Sequence, residues 1–241
     1  IQDVKVEWVK LELPDGFKKI QQHLNTCIKS KLTDIKKFGL TKSVQFVSKR
    51  ELLALQMDLH AKMAAGERDY ETMKAMSLTA ETIKAQHALE LLETQCVGSL
   101  AAYFKKVSDE ARAGKSKAVR NLSEDPAFKS AAYLANQLVE QHIEHPKIGA
   151  LKTLVERELA ENKFAKMIIF TQYRDTAVQI KEVLKDAKGA LSEIFVGQAK
   201  KKTTGLSQKQ QIEMLQQFRD GLFNVLVATS VADEGLDIPN V

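Results

Sequence analysis

Apolar positions along this chain follow two different rhythms, and the change falls near Lys166. From Phe17 to about Leu159 they recur at intervals of three and four, the spacing of one helical face. Phe17, Ile20, Leu24, Ile28, Leu32 and Ile35 predict a first helix, stopped by Gly39. Ser48 with Glu51 three residues on is a capping box, opening a helix through Leu52, Leu55, Leu59 and Met63 that ends at Gly66. A third helix is expected from about Arg68 to Cys96, with Met73, Met76, Ile83, His87 and Leu91 facing inward. Leu100, Tyr103, Phe104 and Val107 line a fourth, ending at Gly114. Asp125-Pro126 reads as an N-cap with proline at the first helical position, and Ile148, Leu151, Val155 and Leu159 mark the helix after His145-Pro146.

Beyond Lys166 the apolar residues gather into short runs. Met167 to Thr171, Ile194 to Val196 and Val225 to Ala228 read as strands buried on both faces, with helices through Ala177–Leu184 and Gln208–Arg219 between them. Strand–helix–strand–helix–strand implies right-handed crossovers and a parallel sheet. Residues 4–13 alternate well enough for one more strand, stopped by Pro14-Asp15-Gly16 and expected to join that distant sheet. The fold class expected is therefore α/β plus all-α. Residues 1–15 would give a strand, 16–145 a helical insertion and 146–241 a parallel-sheet domain.

Composition narrows the class without naming a function. With 44% apolar and 28% charged residues the chain reads as globular, and its net charge of +5 permits nucleic-acid contact. Cys27 and Cys96 fall among helical apolar positions and are expected to be buried free thiols. No apolar run reaches membrane-spanning length and no signal peptide opens the sequence, so an intracellular, cytoplasmic location without a membrane partner is expected. The start at Ile1 without a methionine, and the end on a motif, lead us to expect a fragment of a longer protein.

Chemistry is expected at the carboxyl ends of the parallel strands, where ligands bind in open α/β sheets. After Val225–Ala228 come Thr229 and Ser230, whose hydroxyls can bond a phosphate, then Gly235, which admits close backbone approach, and Asp237, which can accept from sugar hydroxyls. Thr171 and Gln172 end an earlier strand on the same edge. The basic loop of Lys200, Lys201 and Lys202 could hold phosphate through its ammonium groups.

The segment from Thr229 to Ile238 resembles motif V of superfamily 2 helicases, in the wording of the Hef/FANCM and RIG-I-like group. Ile168 to Arg174 is similar to motif IV. Phe195-Val196-Gly197-Gln198, Gly205 to Gln208 and Gln211 to Gly221 follow in the order of the Hef/FANCM pattern over the last third. His87 to Gln95 and the helix before Lys166 resemble the helical insertion of archaeal members more loosely.

The resemblance implies a RecA-like domain carrying a helical insertion, in a parent that uses ATP and Mg2+ on branched, fork-structured DNA. Thr171, Gln172, Gln198, Thr229 and Ser230 would then hold strand phosphates, and Gly235 and Asp237 would face the nucleotide, Asp237 toward the ribose. The partners implied are duplex or branched DNA and a first RecA-like domain. A nuclease domain, as in other Hef proteins, would lie outside these residues. The 241 residues hold no Walker A lysine, no Walker B box and no arginine-rich motif VI, so the chain alone is expected not to hydrolyse ATP.

Three segments imitate other sites. Ala113-Gly114-Lys115-Ser116 lacks the earlier glycine and preceding strand of a phosphate-binding loop and reads as a helix end. Asp233-Glu234 comes too late after its strand for a Walker B pair, and His142 with His145 lacks metalloprotease spacing. Lys105, Lys106 and Lys115, with Arg112, Lys117 and Arg120, cluster around the end of the fourth helix and are expected to contact the backbone of a DNA branch. The alternatives are a non-enzymatic nucleic-acid or protein-binding scaffold, or an RNA-directed helicase of the RIG-I-like group.

Overall fold

A computed structural model describes residues 5–41, 47–197 and 206–229. The chain divides into two compact units, Leu13–Glu144 and a second composed of residues up to Glu12 together with His145 onward.

The first unit is a helical bundle: α1 (Asp15–Lys37), α2 (Lys49–Ala64), α3 (Tyr70–Thr94), α4 (Val97–Arg112), α5 (Lys117–Glu124) and α6 (Pro126–Glu140). Its helix ends follow local chemistry. Ser48 and Glu51 close the expected capping box on α2, with the Ser48 N–H 2.7 Å from the Glu51 carboxylate. Asp125 caps α6 by accepting from the N–H groups of Ala127 and Phe128 at 3.0 and 3.1 Å. Gly39 takes φ +70° just past α1, a conformation in which a Cβ would be strained. The face of α1 is the predicted one, with Phe17, Ile20, Leu24, Ile28, Leu32 and Ile35 all buried.

Two expectations fail in this unit. The inward set of α3 is mainly Ala75, Leu78, Thr79, Thr82, Ala85, Ala88, Leu91 and Leu92, while Met73 is exposed and Met76, Ile83 and His87 are half-buried. The cause is position: α3 packs against α1, α2, α4 and α5, so its surface is covered on several sides and small residues let neighbours approach closely. The stretch after Gly114, read as loop, contains α5, capped by Ser116 and seated through Ala118, Val119 and Leu122.

The second unit contains α7 (Pro146–Glu161), β1 (Met167–Thr171), α8 (Arg174–Leu184), β2 (Ser192–Phe195), α9 (Gln208–Arg219) and β3 (Val225–Thr229). The three strands run parallel in the order β1-β3-β2. The path from β1 to β2 crosses β3 one way and the path to β3 returns, so a single crossover hand puts α8 and α9 on opposite faces. On one face Val225 and Val227 pack with Val155, Leu159, Ala177, Ile180 and Leu184. On the other, Leu226 and Ala228 pack with Phe195, Phe218 and Phe223. Every residue of β3 is buried, as its unbroken apolar run requires, and each Val or Leu so buried contributes about 1.5–3 kcal/mol. Asn224 fixes the start of β3: its side chain accepts from Leu191 N–H at 2.8 Å and donates to the Gly189 carbonyl at 2.9 Å.

The expected N-terminal strand is not formed. Residues 5–14 carry no strand, and Val6, Trp8, Val9 and Leu11 stay 40–84% exposed. The sequence explains this, because its apolar alternation slips phase between Trp8 and Val9, so no single face of a strand would be apolar. Val9 and Leu11 instead line a cleft of about 480 Å³ with Leu151 and Leu154 of α7, and Glu7 lies 3.9 Å from Arg157. No helix among the described residues is long and apolar enough to cross a membrane.

Candidate nucleic-acid interface

Parallel pairing brings the carboxyl ends of β1 and β3 side by side, with Thr171 opposite Thr229 in the register. Gln172 follows Thr171 and is exposed, Thr171 is half-buried, and Thr229 is only 4% exposed. Thr171 and Gln172 are thus the accessible predicted contacts on this edge among the described residues. Helix α8 begins at Arg174, three residues after Thr171, so its first N–H groups and the positive end of its dipole lie at the same edge.

The loop after β2 is held at that edge by two side chains. Arg174 donates to the Gly197 carbonyl at 2.6 Å and Gln211 of α9 to the Val196 carbonyl at 3.3 Å. Neither role was assigned from sequence. The available signal was local: Arg174 is the first residue of a helix that starts directly after a strand end.

Gln198, Lys200, Lys201, Lys202, Ser230, Gly235 and Asp237 lie outside the described residues. Among the described residues no group of three or more His, Cys, Asp or Glu is placed to hold a metal ion. The described part therefore does not fit a seat for ATP and Mg2+, and no chemical step is routed through them.

The basic cluster on the helical unit is real but partly neutralised. Lys105 pairs with Asp109 at 2.7 Å, Arg112 with the same carboxylate at 3.8 Å, and Lys115 with Glu110 at 3.5 Å. The Lys105 hydrogen bond holds Asp109 below its ordinary range. Lys106, Lys117 and Arg120 are exposed and make no ion pair among the described residues. Lys115 and Ser116 sit past the end of α4, with Gly114 at φ +67°, which is the helix terminus expected of that lookalike motif. Cys27 and Cys96 are buried free thiols, and burial pushes the Cys27 thiol up to about 12.

Residues 16–142 match a family described as the helical bundle of ATP-dependent RNA helicases, and residues 146–241 match the helicase conserved C-terminal domain. A Methanocaldococcus jannaschii protein named as an ATP-dependent RNA helicase is 36% identical over the whole of this chain, which spans 29% of it. The ATP-dependent DNA helicase MPH1 of Pyricularia oryzae is 37% identical over 70% of this chain, which spans 16% of it. The chain thus spans less than a third of either relative. The crystal structure of the Pyrococcus furiosus Hef helicase domain superposes with a TM-score of 0.84 at 36% identity, covering all of this chain and 49% of that one. The chain belongs to the superfamily 2 helicases of the Hef/FANCM group, with their helical bundle followed by part of their conserved C-terminal helicase domain.

Proposed function

We propose that this chain is part of an ATP-dependent helicase or translocase acting on branched, fork-structured DNA in repair or fork processing. The observation that carries the reading is the paired edge of Thr171 and Thr229, with exposed Gln172 and the α8 N-terminus beside it. Thr171, Gln172, Thr229, Ser230 and Gln198 hold strand phosphates, with Lys200, Lys201 and Lys202 adding charge. Such contacts fix the strand without reading its bases. Gly235 and Asp237 supply part of the nucleotide surface, and Lys105, Lys106 and Lys115 grip a branch. A first RecA-like domain supplies the triphosphate-binding residues that these 241 residues lack, so ATP with Mg2+ is bound and hydrolysed by the parent and not by this chain alone. Such a protein works in the cytoplasm, at the nucleoid in an archaeon.

Anisotropy titrations of labelled fork DNA, linear duplex, single strand and an RNA fork test the reading. Fork DNA is expected to bind most tightly, and Gln172→Ala and Thr171→Ala to weaken every DNA substrate alike. Tighter binding of the RNA fork would instead favour an RNA substrate, the reading supported by the name of the Methanocaldococcus jannaschii relative. Unchanged affinity in both variants would remove the strand-holding role from this edge.

A further inference from the structure

Helix α2 has two apolar faces and uses only one. Leu52 and Leu59 are buried, while Leu53 and Met57 are 44% and 72% exposed. The buried side packs on α3, and the start of the helix is tied down by Lys49 to Glu90 at 2.7 Å and by Gln86 to the Val47 carbonyl at 2.9 Å. At about 100° per residue, Leu53, Ala54, Met57 and Ala61 share an outward arc of roughly 120° with Arg50 and His60. All six are exposed. The two carboxylates of the helix, Glu51 and Asp58, lie off that arc, so the free apolar face is bordered by positive or titratable nitrogen and by no acid.

We propose that this face of α2 docks an amphipathic helix of a protein partner, whose apolar stripe is flanked by carboxylates. Leu53 and Met57 stand at i and i+4, the spacing of anchors in helix-to-helix recognition, and the alanines between them leave room for a second helix to approach. Methionine adapts its shape to an incoming surface. Arg50 favours an acidic border on the partner and disfavours a basic one. A second copy of this chain does not fit, because isologous pairing would set each Arg50 and His60 against the same positively bordered face. Duplex DNA fits poorly, since the arc offers apolar surface where a phosphate backbone needs a row of cations. The proposal is independent of the strand-binding reading above.

The probe is a designed helical peptide of about five turns with a Leu/Ala face bordered by Glu, titrated into the isotope-labelled 241-residue chain. A twin with Lys replacing each Glu and a scrambled Glu peptide serve as comparisons. The Glu peptide is expected to move the α2 amide resonances and to bind roughly tenfold tighter than the Lys twin. Met57→Glu should weaken it about tenfold, and Arg50→Glu should erase its advantage over the twin. Both substitutions are on exposed side chains, and an unchanged thermal melt verifies that the fold survives. Equal binding of the Glu and Lys peptides, equal binding of the scrambled peptide, shifts confined to other helices, no shifts at all, or displacement of the peptide by duplex DNA would each overturn the proposal.

Discussion

The Lys31 ammonium lies 2.9 Å from a carboxylate oxygen of Glu81, with neither side chain more than 8% exposed. The same ammonium reaches Asp125 at 3.1 Å, so one cation joins α1, α3 and the cap of α6. The remaining acceptors are also used: Glu81 takes hydrogen bonds from Ser77 at 2.9 Å and Asn121 at 3.0 Å. A buried charge is tolerated when it is paired and fully bonded in this way.

Removing the cation should therefore cost more than removing an ordinary surface pair. Lys31→Met leaves two carboxylates facing each other without a counter-charge and is expected to destabilise the chain by about 3 kcal/mol. Lys31→Met/Glu81→Gln should recover part of that loss, because one uncompensated charge is gone. Denaturant unfolding followed by far-UV circular dichroism measures both. A single variant within about 0.5 kcal/mol of wild type would show the network to be dispensable.

The same network makes stability depend on pH at both extremes. Burial pushes the Asp125 carboxyl up, but the Phe128 N–H, Lys31 and the Cys27 thiol outweigh it and hold it below its ordinary 3.8. Its contribution is present above that value and is lost as pH falls through the depressed folded pKa. Burial pushes Lys31 down, but the Glu81 hydrogen bond and the nearby acidic groups raise it above its ordinary 10.5. Its contribution is full below that value and is lost as pH rises through the folded pKa. Melting temperature should hold steady between these limits and fall outside them. Asp125→Asn should shallow the acid limb, and superimposable acid limbs for variant and wild type would contradict the assignment.

The parts of this structure that local chemistry decides were legible in the sequence. The Ser48–Glu51 box, the Asp125-Pro126 start, the glycine stops and the strand Val225–Ala228 each depend on residues close in the chain. The edge bearing Thr171 and Thr229 was legible too, because crossover handedness constrains where successive parallel strands end. What failed needed distant partners. The bond from Lys31 to Asp125 spans 94 positions, and nothing near Lys31 announces it. The orientation of α3 depends on four neighbouring helices. The segment around Trp8 has the alternation of a strand on either side of its phase slip but not across it.

Asp237 offers a test of the nucleotide role. In the full-length parent, Asp237→Ala should lower ATP hydrolysis by roughly tenfold or more, the worth of a hydrogen bond to a charged acceptor, and lower DNA affinity far less. Loss of DNA binding with intact hydrolysis would reverse the assignment.

The basic cluster of α4 and α5 provides the sharpest electrostatic prediction, because its cations are not equivalent. Lys105 and Arg112 share Asp109 and Lys115 leans on Glu110, so each must give up a partner before meeting a phosphate. Lys106 has no such competitor among the described residues and is exposed one residue before buried Val107. Abolishing one cation–phosphate pair should lower the salt slope of binding by about 0.9. Lys106→Ala is thus expected to remove close to a full unit from the fork-DNA slope, and Lys105→Ala or Lys115→Ala less than half of one. Asp109→Ala, which frees two cations, should steepen the slope and tighten fork binding. Because pairing with phosphate carries no sequence information, all of these effects should be equal across DNA sequences. Anisotropy titrations of fork and linear duplex over a salt series decide the matter. If the triple variant Lys105→Ala/Lys106→Ala/Lys115→Ala binds forks with the wild-type slope and affinity, these residues form a solvated helix end and nothing more.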